Sequence, residues 1–195
     1  MFTGIITHRG TVTDKSRSKI TIRTSRRLLH KLHTGASISV DGACLTVVAK
    51  KKNSFSADIM PETAKRTILG NLERGASVNL ELPATLATFL SGHVVQGHID
   101  GLGTLKEIRK HGTQYTLSIA VPRTLSRYIV PKGSVAINGI SLTVIEAQSS
   151  RFTVGIIPHT WDVTMLHELV PGNRVNIEMD VLAKYIEKFV RKHSV

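Results

Sequence analysis

ISVDGACLTVVAKKKNSFSADIMPETAKRTILGNLERGASVNLEL (residues 38–82) aligns without a gap to VAINGISLTVIEAQSSRFTVGIIPHTWDVTMLHELVPGNRVNIEM (residues 135–179). The two segments are identical at 15 of 45 positions, and Gly42, Leu45 and Phe55 are among the residues that recur. A repeat of this length has the size of a small domain rather than of a solenoid unit. The chain is therefore predicted to hold two similar domains in tandem.

The front of each half extends the match. Gly4 and Gly10 correspond to Gly97 and Gly103 at an offset of 93, whereas the longer match has an offset of 97. A four-residue insertion in the second half, between residues 105 and 135, accounts for the difference. Residues 83–92 have no counterpart and are predicted to join the halves. The predicted division is a first domain at 1–92, a second at 93–180 and a C-terminal segment at 181–195.

Each half shows the alternation of apolar and polar residues that is typical of half-buried strands. In the first half we expect strands at residues 2–12, 19–24, 37–41, 45–48, 55–60 and 77–82. Pro61 and Pro158 suit the first turn of a short helix, and Gly75 would end that segment in the first copy. Six short strands favour a closed barrel, which has no free edge. The predicted fold class is mainly all-β, with two tandem six-stranded Greek-key β-barrels, short helices and a C-terminal amphipathic α-helix.

The C-terminal segment has a different pattern. Its apolar residues recur at helical spacing, with charged residues on the rest of the helical wheel. They are Val181, Leu182, Tyr185, Ile186, Phe189 and Val190. The predicted helix either docks on its own chain or contacts another chain, and periodicity alone does not choose between the two.

Composition narrows the class of protein. The 195 residues are 41% apolar, which suffices for one or two ordinary cores. The single cysteine, Cys44, can form neither an internal disulfide nor a thiolate metal cluster, which fits a reducing compartment. The sequence shows no run of eighteen apolar residues and no basic-then-apolar leader. We therefore expect a cytoplasmic protein that does not bind a membrane.

The net charge of +12 first suggests a polyanion as partner. The excess is spread over the chain, with 14 basic and 6 acidic residues in 1–93 and 12 basic and 8 acidic residues in 94–195. Aromatic residues make up only 5% of the chain and are not clustered, whereas base-stacking barrels need them on one face. No nucleic-acid partner is expected.

The two copies differ where side chains could carry acid–base chemistry. The second half has His98, Ser141, His159 and Asp180 where the first has Ile5, Cys44, Glu62 and Pro83. Each also has an ordinary structural explanation, as a strand, turn or small core residue. His93, His98 and Asp100 do not form a recognised ligand pattern, so no metal site is expected.

Several motifs are similar to those of the riboflavin synthase family, whose domains are lumazine-binding repeats. They are MFTGII (1–6), GACLTV (42–47), MPET (60–63), VQGHIDG (95–101), GISLTV (139–144), IPHT (157–160) and VNIEMD (175–180) followed by VLAKY (181–185). They span essentially the whole chain in order. Two departures are Ser91, where the family usually has a glycine, and Leu82, where an arginine is common.

The resemblance implies a dismutation without any cofactor. Two molecules of 6,7-dimethyl-8-ribityllumazine would give riboflavin and 5-amino-6-ribitylaminouracil, and two related pockets would hold the two copies of the substrate face to face. It also implies a homotrimer in which the N-terminal barrel of one subunit meets the C-terminal barrel of another, with the C-terminal helices at the centre. Association with lumazine synthase is a further open alternative.

The resemblance also implies which residues bind substrate. The first pocket would be lined by Gly4, Ile5, Ile6, Cys44, Leu45, Thr46, Asp58, Ile59, Met60, Pro61, Glu62 and Thr63. The second would be lined by Gly97, His98, Ile99, Lys132, Ser141, Leu142, Thr143, Ile156, Ile157, Pro158, His159 and Thr160. We expect catalysis to depend on His98, Ser141 and Thr143 as the acid–base side, on Asp180 from a strand end, and on Cys44 to position or polarise the substrate. The alternative is a non-catalytic lumazine or flavin carrier, which could lack these side chains.

Overall fold

The computed structural model describes residues 1–192, with side chains as far as Val190. The first barrel contains β1 (His8–Lys15), β2 (Lys19–Thr24), β3 (Ser37–Val40), β4 (Ala43–Lys50), β5 (Ser54–Asp58) and β6 (Ser77–Glu81). The second contains β7 (Gly101–His111), β8 (Gln114–Ala120), β9 (Ser134–Ile137), β10 (Ile140–Ala147), β11 (Arg151–Ile156) and β12 (Arg174–Met179). The helices are α1 (Arg26–Lys31), α2 (Pro61–Arg66), α3 (Arg123–Ser126), α4 (Pro158–Val163) and α5 (Val181–Lys192), with 3-10 turns at Ile68–Asn71 and Met165–Glu168.

The two barrels have the same strand order. Neighbouring strands run β1-β2-β5-β4-β3-β6 around the first barrel and β7-β8-β11-β10-β9-β12 around the second. β4 and β10 both change register just after the same repeat position, at Val47 and Val144. A bulge at matching places bends both strands alike, as closure of a small barrel requires. The predicted fold class is confirmed.

Local details differ from the prediction. β1 begins at His8 rather than at residue 2, because Phe2 pairs with Val95 instead, with 2.7 Å from the nitrogen of Phe2 to the oxygen of Val95. The helix that begins at Pro61 stops at Arg66, since Thr67 is extended and its side chain caps the following 3-10 turn. The helices α1 and α3 were not predicted.

Each barrel closes over its own apolar core, in which the repeat partners Phe55 and Phe152 are fully buried. The segment that precedes each barrel in the chain packs against the other barrel, so that the two segments cross. Ile6 is buried in the core of the second barrel, and Ile99 packs against the core of the first. Each barrel is thus completed by residues that precede the other barrel in the chain.

A symmetric set of hydrogen bonds joins the barrels. The Asn79 side chain in β6 donates to the Asn138 carbonyl over 3.0 Å, and its repeat partner Asn176 in β12 donates to the Asp41 carbonyl over 2.8 Å. Both carboxamide oxygens also accept a backbone N–H from the 3-10 turn of the other barrel. Asp41 and Asn138 both have a φ of 45°, a conformation that Asp and Asn tolerate better than most residues.

The predicted C-terminal helix is present as α5, and residues 193–195 of the predicted segment lie outside the described residues. Ion pairs join α5 to the second half of the chain: Lys184 lies 2.7 Å from Asp100, and Arg127 lies 3.2 Å from Glu187. In the described part of the chain, no helix has the length and apolar character needed to cross a membrane.

Candidate active site

Two buried carboxylates hold the crossed segments in place. Both oxygens of Glu81 in β6 accept hydrogen bonds: the nitrogen of Thr3 donates to one over 2.7 Å and the nitrogen of Gly4 to the other over 3.1 Å. Its repeat partner Glu178 in β12 accepts from the nitrogens of Gln96 and Gly97, over 2.6 and 3.0 Å. Hydrogen bonds to an ionised acceptor are strong, so each glutamate fixes one glycine segment against the barrel face.

Burial raises the pKa of both of these carboxyl groups. Burial raises the pKa of Glu178 to about 7, although the backbone N–H donors and Lys184 oppose that shift. Burial also raises the pKa of Glu81, against its hydrogen bonds from the Thr3–Gly4 segment. Desolvation favours the neutral acid form of both glutamates. The backbone N–H donors of the two glycine segments oppose this, because they stabilise the carboxylate that accepts their hydrogen bonds.

Gly4 and Gly97, the glycines of the two segments that the glutamates bind, each contact a residue that was predicted to be functional. The nitrogen of Ser141 donates to the oxygen of Gly4 over 2.9 Å, and the nitrogen of Cys44 donates to the oxygen of Gly97 over 2.9 Å. A β-carbon built on Gly4 would lie 2.6 Å from the β-carbon of Ser141, and one on Gly97 would lie 2.5 Å from that of Cys44. Both glycines have positive φ, at 76° and 85°. These close approaches require glycine.

A cavity of about 200 Å³ opens beside Cys44. Its lining combines residues of the first barrel and α2 with the crossed segment of the second half. The lining residues are Ala43, Cys44, Glu62, Thr63, Arg66, Thr67, Gly97, His98 and Ile99. Hydroxyl, carboxylate, guanidinium and imidazole groups around a partly apolar floor suit a flat heterocycle with a polar rim.

The structure groups the predicted residues differently from the prediction. His98 lies with Cys44 at the first barrel, whereas the family resemblance implied a pocket that it shares with Ser141. Conversely, Gly4 lies against Ser141 at the second barrel rather than with Cys44. The cause is the crossing of the two segments, so a proposed acid–base set of His98, Ser141 and Thr143 is divided between two sites within one chain.

At the second barrel, Ser141 has a histidine partner. The Nδ1 atom of His93 lies 2.7 Å from the hydroxyl oxygen of Ser141. Burial lowers the pKa of His93, and the negative charge of Asp180 raises it in part. The aspartate itself stands at the start of α5, where its Oδ1 accepts from the nitrogen of Leu182 over 3.0 Å. The neutral imidazole is therefore the favoured form beside the hydroxyl.

Several residues predicted to bind substrate have side chains in the barrel cores. These are Ile6, Leu45, Ile59, Leu142 and Ile156. These residues are at most 7% exposed, so contact with a ligand is expected mainly through their backbone groups.

The other predicted residues lie at or near the surface. Exposed ones are Ile5, Thr46, Asp58, Met60, Pro61, Glu62, His98, Lys132, Thr143, Ile157, Pro158 and His159. Half-buried ones are Cys44, Thr63, Ile99, Ser141, Thr160 and Asp180, and Gly4 and Gly97 are buried. Roles for these residues in binding or catalysis stay proposals.

Sequence reasoning missed some residues of these sites. Arg66 and Thr67 line the cavity beside Cys44, and His93 meets Ser141. Thr67 recurs in the repeat as Thr164, which was a usable signal, and Arg66 differs from its counterpart Val163. From the sequence, His93 was considered only as a metal ligand. In residues 1–192 no three His, Cys, Asp or Glu side chains are placed to hold a metal ion.

Comparisons with known proteins agree with this arrangement. The sequence profile of the lumazine binding domain matches residues 3–83 and 96–180. Riboflavin synthase of Actinobacillus pleuropneumoniae is 42% identical over 98% of this chain and 91% of the relative. The chain belongs to the riboflavin synthase family. Other riboflavin synthases are 37% identical in Bacillus subtilis, with the same coverage, and 42% identical in Mycobacterium bovis, over 98% of each chain.

Solved structures share the fold of this riboflavin synthase family member. LumP in complex with 6,7-dimethyl-8-(1'-D-ribityl) lumazine superposes with a TM-score of 0.83 at 24% identity. LumP in complex with riboflavin gives a TM-score of 0.85 at 25% identity. Both alignments cover 92% of this chain and 99% of the LumP chain.

Proposed function

We propose that this chain is an enzyme, a transferase that converts two molecules of 6,7-dimethyl-8-ribityllumazine into riboflavin and 5-amino-6-ribitylaminouracil. The observation that carries the proposal is the identity of 37–42% to riboflavin synthases over nearly the full chain. The duplicated barrels support the proposal, because a reaction between two copies of one compound needs two related binding sites. The pteridine ring serves as its own electron sink, so no cofactor is required.

The proposal assigns one substrate molecule to each kind of cradle. The first cradle carries Cys44 and His98, and the second carries Ser141 and His93. Because the cradles carry different groups, one bound molecule can act as donor of the four-carbon unit and the other as acceptor. We propose that the reacting pair forms where a first cradle faces the second cradle of a neighbouring chain. Holding both rings in register would supply much of the rate through orientation.

The direct test mixes the purified chain with the substituted lumazine and no added cofactor. We expect riboflavin and the pyrimidine product in equal amounts, with two substrate molecules consumed for each riboflavin. Absorbance and fluorescence follow riboflavin, and chromatography follows the pyrimidine. Binding of the lumazine with no riboflavin formed would contradict the enzyme and favour a carrier.

The second candidate function is a non-catalytic carrier of lumazine or flavin. It is favoured by the fold match to LumP, which was solved with a lumazine and with riboflavin bound. The presence of His98 and Cys44 in one cavity and of Ser141 beside Gly4 supports the enzyme instead. A carrier does not need these reactive side chains, so the catalytic proposal stands first.

We propose a homotrimer assembled through α5. Leu182, Tyr185 and Ile186 on this helix are 57–63% exposed in the single chain. A groove of about 490 Å³ runs beside the helix and is lined by Leu182, Ile186, Tyr128 and Val130. An amphipathic helix with an apolar face open beside an apolar groove is suited to packing against copies of itself.

Replacing Ile186 with aspartate tests the assembly. We expect the molar mass to fall to that of one chain, 21.3 kDa. Riboflavin formation per chain should fall about tenfold or more, because a molecule held by one chain loses its oriented neighbour. Light scattering after size-exclusion chromatography gives the mass. The matched control is Lys188→Asp, on the polar side of the same helix; if the control dissociates equally, the apolar face is not the contact.

Two further expectations belong to the proposal. A cytoplasmic location is supported by the single cysteine, Cys44. An association with lumazine synthase would deliver the substrate directly, and co-elution of the two purified proteins would test it.

A further inference from the structure

His93 is tightly packed between the Thr3 segment and Ser141. Only 8% of the residue is exposed, and its backbone nitrogen donates to the oxygen of Thr3 over 3.2 Å. The preceding residue, Gly92, has no room for a side chain, since a β-carbon there would lie 2.1 Å from the oxygen of Thr3 and 3.0 Å from the hydroxyl oxygen of Ser141. The ring of His93 is therefore held in one place beside Ser141.

One ring nitrogen of His93 is unpaired. Its Nδ1 lies 2.7 Å from the Ser141 hydroxyl, whereas its buried Nε2 has no hydrogen-bond partner among the described residues. Leaving a buried polar atom unpaired costs stability, and such atoms are few in folded proteins. A histidine in this position is better explained by a chemical role than by packing.

We propose that His93 is a positioning residue that orients the Ser141 hydroxyl and takes up its proton during the reaction. The inference rests on the proposed function of the second cradle. The neutral ring accepts the hydroxyl proton in a hydrogen bond at Nδ1, which aims an oxygen lone pair into the cradle. Asp180, close enough to influence the ring, favours the charged imidazolium that forms.

The proton step balances within the site. The Ser141 oxygen forms a bond to the electrophilic ring carbon that carries the reactive methyl group, and the electron pair of the carbon–carbon double bond at that carbon moves through the conjugated ring to a carbonyl oxygen of the pyrimidine. The O–H bond breaks, and its proton passes to Nδ1 of His93. Departure of the serine later returns the proton to its oxygen, so no oxidant, reductant or metal is consumed.

A double-mutant cycle tests the coupling. We expect His93→Ala and Ser141→Ala each to lower kcat by about 100-fold, the lower range for general acid–base catalysis. The double variant should be no slower than either single variant, because both changes remove one unit. Riboflavin, which fluoresces and does not react alone, serves as the binding probe, and its affinity should change less than about threefold.

His93→Asn separates orientation from proton transfer and guards against misfolding. Its amide oxygen can replace Nδ1 as a hydrogen-bond acceptor, but it is not a base. We expect the thermal stability of this variant to approach that of the unchanged chain while kcat stays low. His111→Asn, at an exposed hairpin position, is the matched control and should keep full activity.

The outcomes distinguish the two proposals. If the unchanged chain makes no riboflavin, the proposed function fails. If the unchanged chain is active but the losses of the single variants multiply in the double variant, or His93→Asn is fully active, only the role of His93 is overturned.

Discussion

Replacing Gly97 with alanine is expected to abolish the first cradle. The new methyl group would meet the β-carbon of Cys44 at 2.5 Å and the Cys44 nitrogen at 2.9 Å, and it would be placed on a φ of 85°. We expect the free energy of unfolding to fall by about 3 kcal/mol or more, from left-handed strain together with overpacking. Riboflavin formation should fall by about 100-fold or more because a shifted segment also moves His98. Urea denaturation and steady-state rates measure the two effects.

Gly75→Ala is the matched control for backbone strain. Gly75 has a φ of 96°, and a β-carbon there would meet no atom within 4 Å. This variant should lose only about 1–2 kcal/mol and keep its activity. Gly4→Ala should damage the second cradle as Gly97→Ala damages the first, since its β-carbon would overlap Ser141. Equal losses in the Gly75 and Gly97 variants would show that the close approach to Cys44 is unimportant.

Replacing Asp41 with asparagine is expected to stabilise the chain at neutral and higher pH. Asp41 is completely buried between the barrels; Asn79 donates its backbone N–H to one carboxyl oxygen, and the other oxygen has no partner among the described residues. Burial raises its pKa to about 8, with a small contribution from Glu168 in the same direction and an opposing one from the Asn79 hydrogen bond. The neutral amide avoids the burial of a charge.

The sign of the pH dependence follows from this shift. Between the ordinary value of 3.8 and about 8, the folded chain binds the proton of Asp41 while the unfolded chain does not. The free energy of unfolding therefore falls as pH rises through this range, by up to about 1.4 kcal/mol for each pH unit. Asp41→Asn removes this contribution, so the variant should match the unchanged chain near pH 4 and exceed it increasingly toward pH 8.

The repeat supplies the reverse experiment. Asn138 occupies the matching position with the same φ of 45°, and its amide donates to the sulfur of Met165 over 3.4 Å. Asn138→Asp should introduce the same loss of stability with rising pH. Comparing urea denaturation of each variant with the unchanged chain removes the shared contributions of Glu81 and Glu178. A pH-independent difference for Asp41→Asn would contradict the assignment.

Much of the architecture could be predicted from sequence because it follows local rules. Alternating strands, a gapless repeat and helical spacing at 181–190 each leave a pattern in neighbouring residues. The same rules missed the crossing, because the pairing of Phe2 with Val95 joins positions far apart in the chain and leaves no periodic signal. Glu81 and Glu178 are identical in the repeat, but that identity does not show which segments they bind.

The site was predicted in composition but not in grouping. Cys44, His98 and Ser141 were all identified as candidates, but the assumption that each half builds its own pocket grouped His98 with Ser141, whereas within one chain His98 lies with Cys44. His93 was considered only as a metal ligand, because its relation to Ser141 depends on burial and on a distance that one sequence does not reveal. Tertiary contacts decide such cases.

The crossed segments also have a consequence for biosynthesis. Phe2 and Ile6 are synthesised before either barrel, but Ile6 belongs to a core whose last strand, β12, is made after all the other strands. The first barrel likewise lacks the segment around Gly97, which packs against Cys44, until synthesis has passed β6. The apolar side chains of Phe2 and Ile6 therefore lack their partners while the two barrels are being synthesised, and they are exposed to aggregation or to chaperones until the second barrel is complete.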